Sequence, residues 1–291
     1  MKQPLLLRSV LYMPGSNARA IAKARTLPAD AVVLDLEDAV TPETKAEARA
    51  LIAKEMHAGG FEPRYRVVRI NALSTEWGND DLAAMAGVPI DAILAPKVDS
   101  AADVAGLAER MQKAGIGGDV ALWVMIETPL AVLNIAEIAA SAGTTPLAGF
   151  VLGLNDLAKD TGIAQLPGRA AFQSVLTMSV IAARAHGLVV LDGVCNALDD
   201  EERFAAECEQ AQTGGFDGKT LIHPSQVGPA NAAFAPSQAD VEEAQAIVDA
   251  FSDPANAAKG ALRVNGKMTE RLHLVQAENC LAKARAIASR G

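Results

Sequence analysis

Ala31-Val32-Val33-Leu34-Asp35-Leu36-Glu37-Asp38 opens as a β-branched apolar run, closes on three acids, and is followed by the Ala/Glu/Lys-rich stretch Pro42–Met56. A continuous apolar run marks a strand buried on both faces, and apolar residues at three- and four-residue spacing in the next stretch mark a helix. The same two-part unit recurs along the chain. Further runs lie at Ser9–Tyr12, Tyr65–Asn71, Ala92–Val98, Leu122–Glu127, Gly149–Asp156, Leu188–Gly193 and Gly218–His223, with helical stretches at Pro129–Ala140, Arg169–His186 and Asp199–Thr213. The starts are roughly 25–35 residues apart, the length of a strand plus its crossover helix. Eight such units predict an α/β fold, a (β/α)8 TIM barrel. An open doubly wound sheet is the other arrangement of βα units, but no G-x-G-x-x-G follows any of these runs.

Outward from the barrel, the chain continues from Pro224 through helical stretches at Gln238–Phe251 and Arg271–Ser289, with a Gly-punctuated segment at Gly260–Met268 that turns at Val264-Asn265-Gly266-Lys267. The expected organisation is a barrel over residues 1–225 and, over residues 226–291, a C-terminal helical extension acting as a lid or packing on a neighbouring subunit. The 291 residues carry 26 Lys+Arg against 35 Asp+Glu, a net charge of −9, with 50% hydrophobic and 4% aromatic residues. An acidic chain poor in aromatics argues against a nucleic-acid partner. Its apolar runs fall far short of the ~20 residues of a membrane span, so no membrane partner is expected. Met1–Arg8 breaks on arginine before a signal-peptide core forms, which reads as a cytoplasmic protein. Cys195, Cys208 and Cys280 are odd in number and widely spaced, and are read as small buried hydrophobes.

Barrel enzymes gather their chemistry at the C-terminal ends of the strands. The polar residues closing the runs are Asp35, Glu37 and Asp38; Arg69 and Asn71; Lys97; Glu127; Asn155 and Asp156; Asp192; and His223. Glu127 and Asp156 close adjacent strands without a nearby His or Cys, a hard oxygen site suited to Mg2+, although Asp156 can equally cap the helix after it. Arg69 is fitted to bind a carboxylate or a developing oxyanion, or to pair with Glu37 or Asp38. Strand alternation sends Asp35 and Glu37 to one face and Asp38 to the other, and some of these acids orient Arg69. Lys97 can neutralise a carboxylate, hold a Schiff base or pair with Asp99, and His223 before Pro224 reads as structural. Ser16 or Asn17 caps the first helix, where Arg19, Lys23 and Arg25 follow, either as an anion site or as a plain capped helix.

The segments Arg8–Gly15, Leu34–Val40, Arg69-Ile70-Asn71, Ala95-Pro96-Lys97-Val98, Ile126-Glu127-Thr128, Gly153–Leu157 and Gly218–Pro224 resemble the citrate lyase beta-subunit-like group of the HpcH/HpaI aldolase superfamily, which includes malyl-CoA lyases, citramalyl-CoA lyases and malyl-CoA thioesterases. The resemblance runs from about Arg8 to Ala282. It implies Mg2+ on Glu127 and Asp156, and an acyl-CoA substrate bound by Arg69, Asn155, Asp156, Lys97 and Glu37. Arg69, Asp35 and Glu270 carry the catalysis, in a homotrimer or hexamer whose C-terminal segment acts in trans.

Three departures bear on the activity. Where many lyases have Gly-x-Met-Ile-Asp-x-Pro, this chain has Gly266-Lys267-Met268-Thr269-Glu270-Arg271-Leu272, so a glutamate replaces the aspartate and the proline is missing. The longer side chain displaces its carboxylate by about an ångström, enough to alter rate. That segment, Thr75-Glu76-Trp77-Gly78 and Asn155–Lys159 look closer to the thioesterase branch. Asn17 stands where citrate lyase beta subunits often carry arginine. The first reading is a C–C lyase that cleaves a short 3-hydroxy-dicarboxylic acyl-CoA to an acyl-CoA and a keto acid. The alternatives are (3S)-malyl-CoA thioester hydrolysis with the same residues, a citrate lyase beta subunit, and an inactive binding subunit of an acyl-transfer complex.

Overall fold

A computed structural model describes residues 4–256 and 259–290; residues 1–3, at the start of the N-terminal stretch read above, lie outside it, as do 257–258 and 291. The described residues 7–233 form one compact unit, and 234–290 with 4–6 form another.

In the first unit, β1 (Ser9–Pro14), β2 (Ala31–Asp35), β3 (Tyr65–Arg69), β4 (Ala92–Ala95), β5 (Ala121–Ile126), β6 (Leu147–Leu152), β7 (Val189–Asp192) and β8 (Gly218–Leu221) pair in parallel in sequence order and close into a barrel. The connecting helices are α1 (Ala18–Ala24), α2 (Lys45–Ala58), α3 (Gly78–Ala84), α4 (Ala101–Lys113), α5 (Pro129–Leu133), α6 (Ile135–Ala140), α7 (Leu154–Thr161), α8 (Gln173–Ala185), α9 (Glu201–Thr213) and α10 (Val227–Ala233). This is the (β/α)8 architecture expected from the repeating runs. Among the described residues no helix is long and apolar enough to cross a membrane.

Every second strand residue faces the barrel interior, where Val10, Ala31, Val33, Val67, Ala92, Leu94, Trp123, Met125, Val151 and Leu191 pack as one cluster. Tyr65 stacks on Trp123 with ring centroids 5.4 Å apart. Continuing the same two-residue step brings Asp35 after Val33, Arg69 after Val67, and Glu127 after Met125. The apolar filling therefore stops one layer below the C-terminal mouth, and charge takes over there.

Several of the expected runs end early as strands, Gly149–Asp156 among them with strand only to Leu152, and three departures have a local cause. The run Ala31–Asp38 is strand only to Asp35, because the chain then turns: Leu36 N–H donates to Arg69 O at 2.9 Å, and Val40 N–H to Glu37 O at 3.2 Å. The helix expected over Pro129–Ala140 breaks at Asn134, whose amide is drawn to Asp99 O at 2.8 Å. The helix expected from Arg169 starts as a short 3-10 turn at Ala170, since Arg169 takes a left-handed φ of +50° to send its side chain to buried Asp192. The barrel unit runs to Ala233, whereas the sequence reading started the extension at residue 226. α10 serves as the eighth crossover helix, and its Asn231 accepts a 2.7 Å hydrogen bond from Ser9 on β1.

In the second unit α11 (Gln238–Ser252) and α12 (Arg271–Ala288) pack through Ala244, Ala277 and Leu281, with Val241, Ile247, Val248 and half-buried Cys280 around them. The hairpin of β9 (Ala261–Val264) and β10 (Lys267–Glu270) turns at Asn265 and Gly266, both at positive φ, as a two-residue loop of this kind requires.

Barrel closure depends on Gly218. A Cβ there would lie 1.7 Å from the carbonyl oxygen of Leu7, a backbone atom that cannot move without parting β1 from β8. Gly218→Ala is expected to cost about 3 kcal/mol or more in urea unfolding, or to prevent soluble folding. Gly117→Ala, where nothing lies within 4 Å, should stay within about 0.5 kcal/mol of wild type. Equal stability for the two variants would show that the contact does not constrain closure.

Candidate active site

At the mouth of the barrel, Arg69 is only 7% exposed and meets Asp35 with two parallel bonds, Nε to Oδ1 at 2.7 Å and Nη2 to Oδ2 at 2.6 Å. Nη1 lies 2.8 Å from Glu37 Oε2 and 3.2 Å from Asp38 Oδ2. The alternation argument placed Asp38 on the opposite face from Asp35 and Glu37. It fails because the strand ends at Asp35, and the turn after it swings Asp38 back to the same arginine. The Tyr12 ring covers the guanidinium, 5.0 Å from its centroid.

Asp35 also accepts the backbone N–H groups of Glu37 at 2.9 Å and Ala39 at 3.1 Å, so both its oxygens are spent on orienting the arginine and its own loop. Lys45 ties that loop down by donating to Leu36 O at 2.8 Å and Glu37 O at 3.0 Å, and Asn71 donates to Leu36 O at 2.9 Å.

Burial works against the charge on Arg69, but the bonds to Asp35 outweigh it and hold the guanidinium well above its ordinary range. Three carboxylates share this one arginine, and Glu37 is the one whose carboxyl is raised. Burial pushes its carboxyl up to about 8 against the pull of Arg69, with Asp38 and Glu127 adding to the rise.

Across the mouth, Glu127 is 1% exposed. Its Oε1 accepts the backbone N–H of Lys97 at 2.9 Å and lies 3.2 Å from Lys97 Nζ. Its Oε2 is buried with no hydrogen-bond partner among the described residues. The same Nζ lies 2.7 Å from Oδ1 of Asp156, in the first turn of α7, a helix capped by Gly153. Asp156 therefore faces a cation rather than capping its helix. Glycine is required at 153, since a Cβ would fall 2.4 Å from Glu127 Cβ and 2.6 Å from its Oε2. Burial raises the Glu127 carboxyl despite its lysine, while its two carboxylates raise the Lys97 ammonium against the effect of burial.

Lys97 does not pair with Asp99, which instead accepts a short hydrogen bond from the Thr128 hydroxyl. Glu127 and Asp156 thus converge on one cation position, Glu127 through Oε1, while its other oxygen stays buried and unsatisfied. That donor set fits Mg2+, which takes one or two carboxylates and keeps the rest of its shell as water or substrate oxygen. No group of three or more His, Cys, Asp or Glu side chains placed to hold a metal occurs among the described residues.

A cavity of about 370 Å³ opens here, lined by Tyr12, Asp35, Asp38, Arg69, Met125, Gly153, Asn155, Asp156 and Thr220 among others. Asn155 is exposed at its rim and held by Asn196 at 2.7 Å and Gln165 at 3.0 Å. Tyr12 and Met125 were missed from sequence, although both sit on the inward step of their strands.

The other strand-end residues have structural partners. Asp192 receives Arg169 and Lys219, each at 2.7 Å, and exposed His223 caps the turn before α10 through Ser225. Asn17 caps the seven-residue α1, accepting from Arg19 and Ala20 N–H at 3.1 Å, while Arg25 turns away to Glu55. Glu270 belongs to the second unit, exposed at the start of α12, where its N–H donates to His273 Nδ1 at 2.9 Å.

The fold and this site agree with what the chain is similar to. It belongs to the HpcH/HpaI aldolase/citrate lyase family, whose model matches residues 8–224. It is 49% identical to a (3S)-malyl-CoA thioesterase of Cereibacter sphaeroides over 98% of this chain and 96% of that one. The citrate lyase subunit beta of Escherichia coli is 32% identical over 95% and 93% of the two chains. Among solved structures, CitE from Mycobacterium tuberculosis in complex with magnesium, acetoacetate and coenzyme A superposes with a TM-score of 0.77 at 32% identity, covering 95% of this chain and 97% of that one.

The raised Glu37 carboxyl makes stability depend on pH. With its pKa near 8 in the folded chain and 4.5 ordinarily, the folded state holds a proton that the unfolded state has released, so stability falls as pH rises between those values. Glu37→Gln keeps the neutral shape and removes the titration. The melting temperature of wild type should fall relative to Glu37→Gln from about pH 5 to pH 8; parallel profiles would rule Glu37 out as the titrating group.

Proposed function

We propose that this protein hydrolyses the thioester of a short 3-hydroxy-dicarboxylic acyl-CoA of the (3S)-malyl-CoA type. One observation carries the reading: Glu127 and Asp156 converge on a single cation position beside a buried arginine, in a chain 49% identical over nearly its whole length to enzymes named for that reaction.

Glu127 and Asp156 would hold Mg2+, which when bound supplies a Lewis acid for the hydroxyl and carboxylate of the malyl end. Arg69 commits Nε and one Nη2 proton to Asp35, and its Nη1 donates to Asp38 and Met125 Sδ while lying 2.8 Å from Glu37 Oε2. One Nη2 proton has no partner among the described residues, and it is the donor for the thioester oxygen as negative charge develops there. Glu37, titrating near pH 8, is the carboxyl within this barrel suited to take a proton from water and return it to the departing thiolate. Glu270 of a neighbouring subunit is the acid/base that the family resemblance offers for the same step. The resemblance likewise supplies the trimeric or hexameric assembly in this reading.

The C–C lyase is the second reading, since the same arginine would stabilise an acetyl-CoA enolate. The thioesterase relatives and Glu270 in place of aspartate favour hydrolysis. Incubation with (3S)-malyl-CoA and Mg2+ should release malate and free CoA. Glyoxylate with acetyl-CoA would transfer the assignment to the lyase, and no turnover of malyl-, methylmalyl- or citramalyl-CoA would remove both.

Arg69→Lys should lower kcat/KM about 100-fold or more, because an ammonium cannot hold Asp35 with two bonds and still donate to substrate. An unchanged kcat/KM would take Arg69 out of the reaction. For the proton transfer, Glu37→Gln should lower the rate and remove its rise with pH up to about 8 if the base lies within the barrel, whereas loss in Glu270→Gln alone would place it on the neighbouring subunit.

A further inference from the structure

Lys97 reaches one carboxylate with both its polar ends. Its φ of +54° lies in the left-handed region that non-glycine residues seldom adopt. From that conformation its backbone N–H donates to Glu127 Oε1 at 2.9 Å, while its Nζ lies 3.2 Å from the same oxygen and 2.7 Å from Asp156 Oδ1. Nζ is buried yet makes no well-directed hydrogen bond, so charge alone holds it between the two acids. The side chain also lines a separate groove of about 400 Å³, with Asn71, Ser74, Asp103 and Arg110. Lys97 thus borders that groove while its ammonium contacts Asp156, which lines the other cavity.

We propose that Lys97 is the resident counter-cation of the divalent-ion site: its ammonium occupies the position the ion takes, swings into the adjoining groove when the ion enters, and so sets the ion's affinity. The inference rests on Glu127 and Asp156 being the metal-holding pair. Two carboxylates in a largely buried site need a cation to remain ionised together, and the lysine supplies it. A divalent ion brings twice the charge and direct bonds to the carboxylate oxygens, and its repulsion of the ammonium forbids their sharing one position. The backbone N–H of Lys97 stays on Glu127 throughout, so the ligand remains aimed while the cation changes. Lys97 is then a positioning residue with a measurable cost to metal binding.

Lys97→Met keeps the apolar stem and the backbone N–H but removes the ammonium and its charge. Calorimetric titration of the full chain with MgCl2 should show Mg2+ bound about tenfold more tightly by Lys97→Met than by wild type. The metal-free melting temperature of the variant should fall, and saturating Mg2+ should restore it. A lysine that merely supports the fold would not tighten ion binding on removal. In the wild-type protein, acetylation of Lys97 followed by peptide mass spectrometry should be slow in EDTA and several-fold faster in saturating Mg2+.

Equal or weaker Mg2+ affinity in Lys97→Met overturns the proposal, as does Lys97 labelling that fails to rise with Mg2+. Mg2+ binding lost in Glu127→Gln but unchanged in Lys97→Met leaves the metal pair standing and removes only the counter-cation. Absence of Mg2+ binding by wild type overturns the metal pair and the counter-cation together.

Discussion

Arg69 carries its charge at 7% exposure, just where the apolar filling of the barrel ends, and this is tolerable only because Asp35 meets it with both oxygens. A guanidinium buried without such a partner would cost several kcal/mol. The pair also organises its surroundings. Asp35 folds the loop after β2 over its own carboxylate, that loop returns Glu37 and Asp38 to the arginine, and Lys45 and Asn71 hold the loop carbonyls from below. Burial, with Asp38 and Glu127 adding to it, then raises the Glu37 carboxyl to about 8. A charged residue with a tunable neighbour at a water-poor mouth is how such sites obtain acid–base groups that work near neutrality.

The same rule shapes the other half of the mouth. There the excess is two carboxylates on one lysine, and Glu127 keeps one oxygen unsatisfied. Gly153 lets the β6 end approach that carboxylate closely enough to bury it. A further buried cluster, Arg169, Asp192, Lys219 and Glu207, is fully paired and leaves no such opening, so it reads as support for the β7 and β8 ends. Unsatisfied charge, rather than charge as such, separates a site from a strut.

Much of this was legible in the residues. Eight apolar runs with helical stretches between them dictate parallel strands covered on both faces, and the two-residue inward step from Val33, Val67 and Met125 leads to Asp35, Arg69 and Glu127. The net charge of −9, by contrast, says little about an anionic substrate, because it describes the solvated surface and not a mouth built around Arg69 and a cation position. Spacing could not separate the partners of Lys97. Asp99 is two residues away in sequence, yet it is taken by Thr128, and the lysine goes to acids from two other strand ends.

Local periodicity and turn chemistry thus determined the barrel, the hairpin at Asn265-Gly266, and which residue types stand at the strand ends, since these depend on neighbours in the chain. Only the tertiary structure decided that Asp38 shares an arginine with Asp35, that Asp156 faces Lys97 instead of capping α7, and that Glu127 is left with a free oxygen. Each of those outcomes is settled by competition among charges brought together from separate strands, whose distances are fixed by barrel closure and not by sequence spacing.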